Sequence, residues 1–156
     1  MKTSLAVLLL ILTACGAKPA ADRPAPTIKL APGTSTLRVE IAGLRNTKGT
    51  VYCSLFNAAE GFPGASPIID GSREASATTG TLAFDFAGLP AGTYAVAMSH
   101  DENDNGQLDS NFVGAPTEGY GSTNNITHPT SAPTFDEAKV ELGSGQVLQK
   151  RIDVKY

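Results

Sequence analysis

The sequence is poor in the residues from which most enzyme and nucleic-acid sites are built. It has only two histidines, His100 and His128, and they form neither a His-x-x-x-His nor a His-Glu pair of the kind that holds zinc. It contains no Gly-x-Ser-x-Gly turn for a nucleophile and no glycine-rich loop for phosphate. Basic residues number 12 against 15 acidic ones, so no basic surface for nucleic acid is expected. We therefore expect a non-enzymatic protein.

Positive charge is missing from one long interval of the chain. No Lys or Arg occurs between Arg73 and Lys139. The same interval holds nine acidic residues: Glu74, Asp85, Asp101, Glu102, Asp104, Asp109, Glu118, Asp136 and Glu137. Such a folded region repels itself unless its charges lie far apart or a cation joins them.

The sequence also has few long apolar runs and few cysteines. The run at residues 5–12 follows Lys2 and is too short to span a bilayer as a helix, so it predicts a secretory signal. The small residues that end at Cys15 resemble the lipobox of bacterial lipoproteins. We expect residues 1–14 to be a lipoprotein signal peptide and Cys15 to be lipidated and to hold the protein on a membrane. The alternative is a plain signal peptide with an incidental cysteine.

Residues 15–34 then form the lipidated cysteine and a Pro- and Ala-rich linker, and residues 35–156 a single domain. In polyproline II form the linker would reach roughly 50 Å at about 3.1 Å per residue. The residue after the cysteine is Gly16 and not the Asp that resembles an inner-membrane retention signal. This favours the outer membrane of the cell envelope, on its periplasmic face, over the inner membrane. With Cys15 acylated, Cys53 has no partner within the chain, and its apolar neighbours predict a buried thiol in a monomeric protein.

Short alternating runs predict an all-β domain. Strands are expected near residues 37–41, 50–56, 73–79, 82–86, 94–98, 138–142 and 147–156, the last two paired across a glycine turn, with one helical turn near residue 136. This pattern favours an immunoglobulin-like or transthyretin-like antiparallel β-sandwich of about seven strands with one long acidic loop. Residues 101–134 show no strand pattern, and a loop of that length is usually either functional or disordered. Because its Gly, Pro and Asn residues supply specific turns, we expect this loop to be ordered.

Oxygen-bearing side chains occupy every second position where this loop begins: Asp101, Asn103, Asn105, Gln107 and Asp109. With Gly106 at the sixth position, this is the spacing of an EF-hand type calcium loop, in which Gln107 donates its main-chain carbonyl. Phe112 stands where a closing Glu belongs, so we predict that Glu118, or else Asp136, supplies the missing oxygen. A calcium affinity of about 0.1 to 1 mM is expected. The alternative is a tight Asn105-Gly106 hairpin turn among solvated acids.

Three segments together resemble a known bacterial family. They are Gly92-Thr93-Tyr94-Ala95-Val96 running into the acidic motif, the Gly- and Pro-rich residues 114–121 with Asn124-Asn125, and residues 133–138. Over residues 36–156 the chain resembles the family known as domain of unknown function 2141, which implies a small envelope β domain and no established activity. The strand before the acidic loop is also similar to calcium-binding B-type repeats of bacterial adhesins.

Two further hypotheses concern the same part of the chain. Tyr120, Asn124 and Asn125 combine a ring with amides, which is typical of surfaces that bind a glycan or protein ligand, although these residues could equally fold their own loop. The competing functional class is a metal-dependent envelope hydrolase that uses His100, Asp101 and Asp109.

Overall fold

The computed structural model describes residues 34–74 and 81–156, and within them the chain forms eight strands, one short α-helix and one 3-10 turn. The strands are β1 Ser35–Ala42, β2 Thr50–Phe56, β3 Ile69–Glu74, β4 Leu82–Leu89, β5 Gly92–Asp101, β6 Gly119–Ser122, β7 Val140–Leu142 and β8 Val147–Asp153. The 3-10 turn is Thr123–Asn125 and the helix, α1, is Phe135–Ala138. The predicted signal peptide, Cys15, nearly all of the linker and part of the predicted strand at 73–79 lie outside the described residues.

The strands form two sheets, which confirms the all-β prediction and is consistent with the predicted sandwich. One sheet has the order β4-β1-β8, and the other has the order β3-β2-β5-β6, with β7 also paired to β5. The pairing is antiparallel except between β1 and β8, which run parallel. The predicted pairing of the last two strands is wrong, because β7 pairs with β5 while β8 pairs with β1. The turn between them is tied to β1 instead, since Ser35 Oγ donates to the Gly143 carbonyl.

Strand alternation places the apolar side chains in the core. Leu37, Val39 and Ile41 of β1 are all fully buried, as are Cys53 and its apolar neighbours in β2. Burial raises the pKa of the Cys53 thiol, as expected for an inert cysteine. Strand β5 is buried on both faces, because its alanines form a second, smaller cluster: Phe56, Ala95, Ala97, Phe135 and Ala138. The sequence predicted only the face that carries Tyr94, Val96 and Met98.

The two ends of β5 define two poles of the domain. Its ten residues span about 30 Å. At the first pole Gly92 pairs with Leu142, next to Gly143 and the start of β1 at Ser35. At the other pole β5 ends at Asp101, beside Tyr156 and the end of β1. The described chain therefore starts at the pole opposite the acidic loop.

Strand β6 was not predicted, because residues 101–134 were expected to contain no strand. Its glycines have no side chains to produce an alternating pattern. A Cβ on Gly119 would lie 2.8 Å from Tyr156 and Val154, and one on Gly121 would lie 2.6 Å from Ile152. Glycine lets β6 lie close to the C-terminal residues 152–156. The same glycines give the sequence no alternation of apolar and polar side chains by which the strand could be predicted. None of the helices in the described part of the chain is long and apolar enough to cross a membrane.

Candidate functional site

Residues 101–118, called the acidic loop from here on, leave the end of β5 by wrapping around one buried carboxylate. Asp101 is only 1% exposed. Its Oδ1 accepts a hydrogen bond from the Asn105 N–H at 3.2 Å, and its Oδ2 accepts one from the Gly106 N–H at 2.7 Å. Gly106 has a φ of 79°, which glycine adopts without strain. The first turn of the loop is thus built on main-chain donors that point at Asp101.

The next side chains of the motif converge on Asp109. Its Oδ2 accepts from Asn103 Nδ2 at 2.7 Å and its Oδ1 from Asn105 Nδ2 at 3.0 Å. The two asparagine Oδ1 atoms accept the N–H groups of Asn105 and Gln107 at 3.0 and 2.8 Å. Four predicted positions therefore lie in one hydrogen-bonded network, to which Gln107 contributes its main-chain N–H.

Glu118 closes the acidic loop at its base. It is 5% exposed, its Oε1 accepts the Glu102 N–H at 2.8 Å, and its Oε2 accepts the Asp109 N–H at 3.0 Å. It therefore joins the start of the motif to its ninth position. Its role as the ligand that replaces the closing Glu missing at Phe112 stays a prediction. The second candidate, Asp136, lies on α1 and pairs instead with Lys139 at 2.8 Å.

The fold brings one basic side chain, Arg45, to the acidic loop from outside the interval that lacks Lys and Arg. Arg45 donates to both carboxylate oxygens of Glu102 at 2.6 and 2.8 Å and to the Thr117 carbonyl at 3.0 Å. The Arg45 hydrogen bond lowers the pKa of Glu102, and the same contact raises the pKa of Arg45. Within the described residues, however, Arg45 is the only Lys or Arg side chain that the ion pairs join to this loop. Asp101, Asp104, Asp109 and Glu118 form no ion pair there.

His100 lies beneath the acidic loop and is fully buried. Its Nε2 lies 2.7 Å from the Lys48 carbonyl and its Nδ1 lies 2.8 Å from the Tyr156 hydroxyl. Because a carbonyl only accepts, Nε2 carries the hydrogen, an assignment inferred from its partner. The Tyr156 hydroxyl also accepts the Arg45 N–H at 3.0 Å. Both ring nitrogens are thus occupied inside the domain, so the structure gives no support to His100 as a solvent-facing base.

The far end of the acidic loop is a narrow finger, residues 109–117. Asn111 Oδ1 accepts the N–H groups of Val113 and Ala115, both at 3.0 Å, and Ser110 forms a bridge with Pro116. The turn holds Phe112 entirely in solvent and leaves Val113 69% exposed. The finger itself was not predicted from the sequence. The signal for the finger was Asn111, whose side chain commonly organises such turns.

The predicted ligand-surface residues lie beside β6. Tyr120 exchanges two main-chain hydrogen bonds with Lys155, both at 2.9 Å. Asn124 Nδ2 donates to the Glu137 and Lys139 carbonyls at 3.0 and 3.1 Å, and Asn125 Oδ1 accepts the Asp153 N–H at 2.8 Å. These bonds hold the asparagines' own segment in place. Contact with a glycan or protein ligand stays a prediction.

Comparison with known proteins identifies the family. Residues 39–150 match the model of a family described as an uncharacterized protein conserved in bacteria, DUF2141. The chain belongs to the DUF2141 family. The match runs from β1 into β8, so the acidic loop is part of the DUF2141 domain and not an addition to it. No curated protein and no solved structure matches the chain.

The donor set of this DUF2141 loop fits a hard cation better than zinc. Within the described ranges, no three His, Cys, Asp or Glu side chains form a group that could hold a metal ion. An ion here would need amide and main-chain oxygens beside the carboxylates, and calcium accepts that mixture. Each oxygen that receives one N–H keeps a second lone pair.

Proposed function

We propose that this DUF2141 protein is a non-enzymatic, lipid-anchored domain of the bacterial envelope whose acidic loop binds one calcium ion. The observation that supports the ion most directly is the convergence of Asp101, Asn103, Asn105, Asp109 and Glu118 around a single loop. Glu118 lies nine residues beyond Asp109 in the chain, yet it accepts the Asp109 N–H.

The charge of the acidic loop favours a cation. Asp101 and Glu118 accept hydrogen bonds from main-chain N–H groups of this loop, and Asp109 accepts from the side-chain amides of Asn103 and Asn105. Two like charges about 4 Å apart repel by about 1 kcal/mol in water and about 4 kcal/mol near a protein surface. Arg45 is already committed to Glu102 and Thr117. A divalent ion would relieve the remaining repulsion without moving the main chain.

The number of donors favours a structural calcium site of modest affinity. Five side chains and the Gln107 carbonyl offer about six oxygens, and calcium takes six to eight, so water would complete the shell. Most of the loop side chains are exposed, as in extracellular modules that bind calcium at about 0.1 to 1 mM. Such an ion would fix the loop and its finger as an interaction surface.

The anchor and the loop would then lie at opposite poles of the domain. The linker from Cys15 enters at Ser35, and the acidic loop lies beyond the far end of β5. A protein tethered in this way would present the loop and its exposed Phe112 away from its own membrane attachment. This arrangement suits contact with a ligand in the surrounding compartment.

Calcium-dependent unfolding tests the ion. With calcium at ten times its Kd, the wild-type protein should gain about 1.4 kcal/mol over the same protein in EDTA. Magnesium should give less, because it rarely uses so many protein oxygens. Asp109→Asn should lose most of the gain. Asp104→Asn removes one charge from the same loop, but the Asp104 carboxylate accepts from Thr50, so this control should keep the gain. A wild-type melt unmoved by millimolar calcium would refute the proposal.

Mass spectrometry of the mature N-terminus tests the anchor. We expect the N-terminal peptide to begin at Cys15 and to carry the mass of its acyl chains, and Cys15→Ser to release the protein from membranes. An unmodified Cys15 in the mature protein would remove the lipid from the proposal without affecting the calcium site.

A further inference from the structure

We propose that Asn105 is a site of spontaneous imide formation with Gly106, and that closure of the acidic loop controls the rate. The chain has seven asparagines, and Asn105 is the one followed by glycine. Asn105 is also exposed, and no atom from outside residues 105–107 lies within 4 Å of the place where a Cβ on Gly106 would stand. The inference rests on the geometry of the loop and does not require that calcium bind there.

The reaction needs no partner other than water. The Gly106 main-chain nitrogen attacks Asn105 Cγ, the new N–Cγ bond closes a five-membered imide, and the Cγ–Nδ2 bond breaks. The amide group leaves as ammonia, taking the hydrogen that Gly106 loses. Water then opens either carbonyl of the imide and leaves an aspartyl or an isoaspartyl residue at position 105. Nothing is oxidised or reduced.

Three hydrogen bonds of the closed loop oppose the attack. The nucleophile is the Gly106 nitrogen, whose N–H donates to Asp101 Oδ2 at 2.7 Å, and the negative carboxylate resists loss of that hydrogen. The Asn105 amide is held at both ends, by the Gln107 N–H at 2.8 Å and by Asp109 Oδ1 at 3.0 Å. All three bonds must break before Cγ can meet the Gly106 nitrogen. The rate should therefore follow the fraction of molecules in which the loop is open.

Both products would change the loop. An aspartyl residue places a carboxylate where Asn105 Nδ2 now donates to Asp109, so two negative groups would face each other at 3.0 Å or share a cation. An isoaspartyl residue adds a methylene to the main chain and shifts the N–H groups that now point at Asp101. The first product makes closure more dependent on a cation, and the second prevents it.

Site-resolved mass spectrometry of the mature full-length protein tests the inference. The protein is incubated in warm, mildly alkaline buffer with EDTA, either folded or in urea. A glutamate-specific protease then cuts it, because the interval between Arg73 and Lys139 gives trypsin no site. Asn57, exposed and followed by Ala58, serves as the comparison within the same chain. We expect Asn105 to convert faster than Asn57 when folded, and faster still in urea.

Glu118→Gln tests control by loop closure without any ion. The substitution removes the charge that receives the Glu102 and Asp109 N–H groups, so the open fraction should rise and Asn105 should convert about ten-fold faster. Asn57 should keep its rate. Conversion of Asn105 no faster than Asn57 would overturn the imide site, and equal rates for Asn105 in the variant and the wild type would overturn control by closure.

A calcium arm separates this inference from the proposed function. If calcium binds, ten times its Kd should slow conversion at Asn105 about ten-fold. Calcium that shifts the melt but not this rate would overturn control by closure. If calcium fails to shift the melt, only the calcium proposal is refuted. The comparison with Asn57 then still decides the imide site, and the Glu118→Gln rates decide its control by closure.

Discussion

Two irregular segments follow β5, and their ends are joined by different kinds of groups. In the acidic loop, Asp101 and Glu118 accept hydrogen bonds from main-chain N–H groups. In residues 123–139, called the strap, Thr123 and Asn124 donate to main-chain carbonyls. The loop thus collects negative charge as it closes, whereas the two ends of the strap are joined by neutral side chains, and its carboxylates Asp136 and Glu137 have their own partners in Lys139 and His128. We therefore expect calcium to stabilise the loop and not the strap.

The two segments also differ in where their aromatic side chain goes. Phe135 of the strap is 9% exposed and packs edge-on against Phe62, with ring centroids 6.0 Å apart. Phe62 in turn meets Phe56 at 5.1 Å. Phe112 of the acidic loop meets solvent only. The strap is therefore held by burial as well as by hydrogen bonds, and the loop by hydrogen bonds and the Arg45–Glu102 ion pair.

The largest effect should come from removing the buried ring of the strap. Phe135→Ala loses its contact with Phe62 and leaves a cavity, so the free energy of unfolding should fall by about 3 kcal/mol. Urea denaturation measures the loss, and it should be the same in calcium and in EDTA. A loss below about 1 kcal/mol would mean that the strap does not depend on this ring.

Removing the buried carboxylate of the acidic loop should cost somewhat less. Asp101→Ala deprives the Asn105 and Gly106 N–H groups of their acceptor, and we expect a loss of about 2 kcal/mol. Thr123→Val is the matched strap variant, because Thr123 Oγ1 accepts the buried Val96 N–H at 3.1 Å. Its loss should not change with calcium, whereas the gap between Asp101→Ala and wild type should widen with calcium. Equal behaviour of the two variants would abolish the distinction between loop and strap.

The features that could be predicted from sequence are those with a local cause. Alternation located the strands that bury Phe84 and Phe86, and the spacing of oxygens located the hydrogen-bonded motif around Asp109. Features caused by distant segments could not be predicted. Arg45 reaches Glu102 across 57 residues, and the side of the strap that faces the sandwich is set by packing against Ala95.

Acid should weaken the strap by protonating the carboxylate of Glu137. The pKa of Glu137 is lowered from 4.5 to about 2, chiefly by the Thr134 N–H, then by the Thr134 hydroxyl and His128. Because the folded pKa is the lower one, this contribution to stability is complete above pH 4.5 and disappears as the pH falls towards 2. Carboxyl-carbon NMR titration should find the low midpoint, and Thr134→Val should raise it part of the way. A wild-type midpoint near 4.5 would contradict the capping contact.

The smallest effect is expected at the finger, where the acidic loop differs most from the strap. Phe112→Ser changes a side chain that is 100% exposed, so the free energy of unfolding should stay within about 0.5 kcal/mol of wild type. The Asn111 turn holds the ring outward without help from the ring itself. A loss above about 1 kcal/mol would show that Phe112 packs on the domain in solution. A neutral result would show that folding does not require an apolar residue at the tip, as expected if Phe112 serves the proposed contact with a ligand.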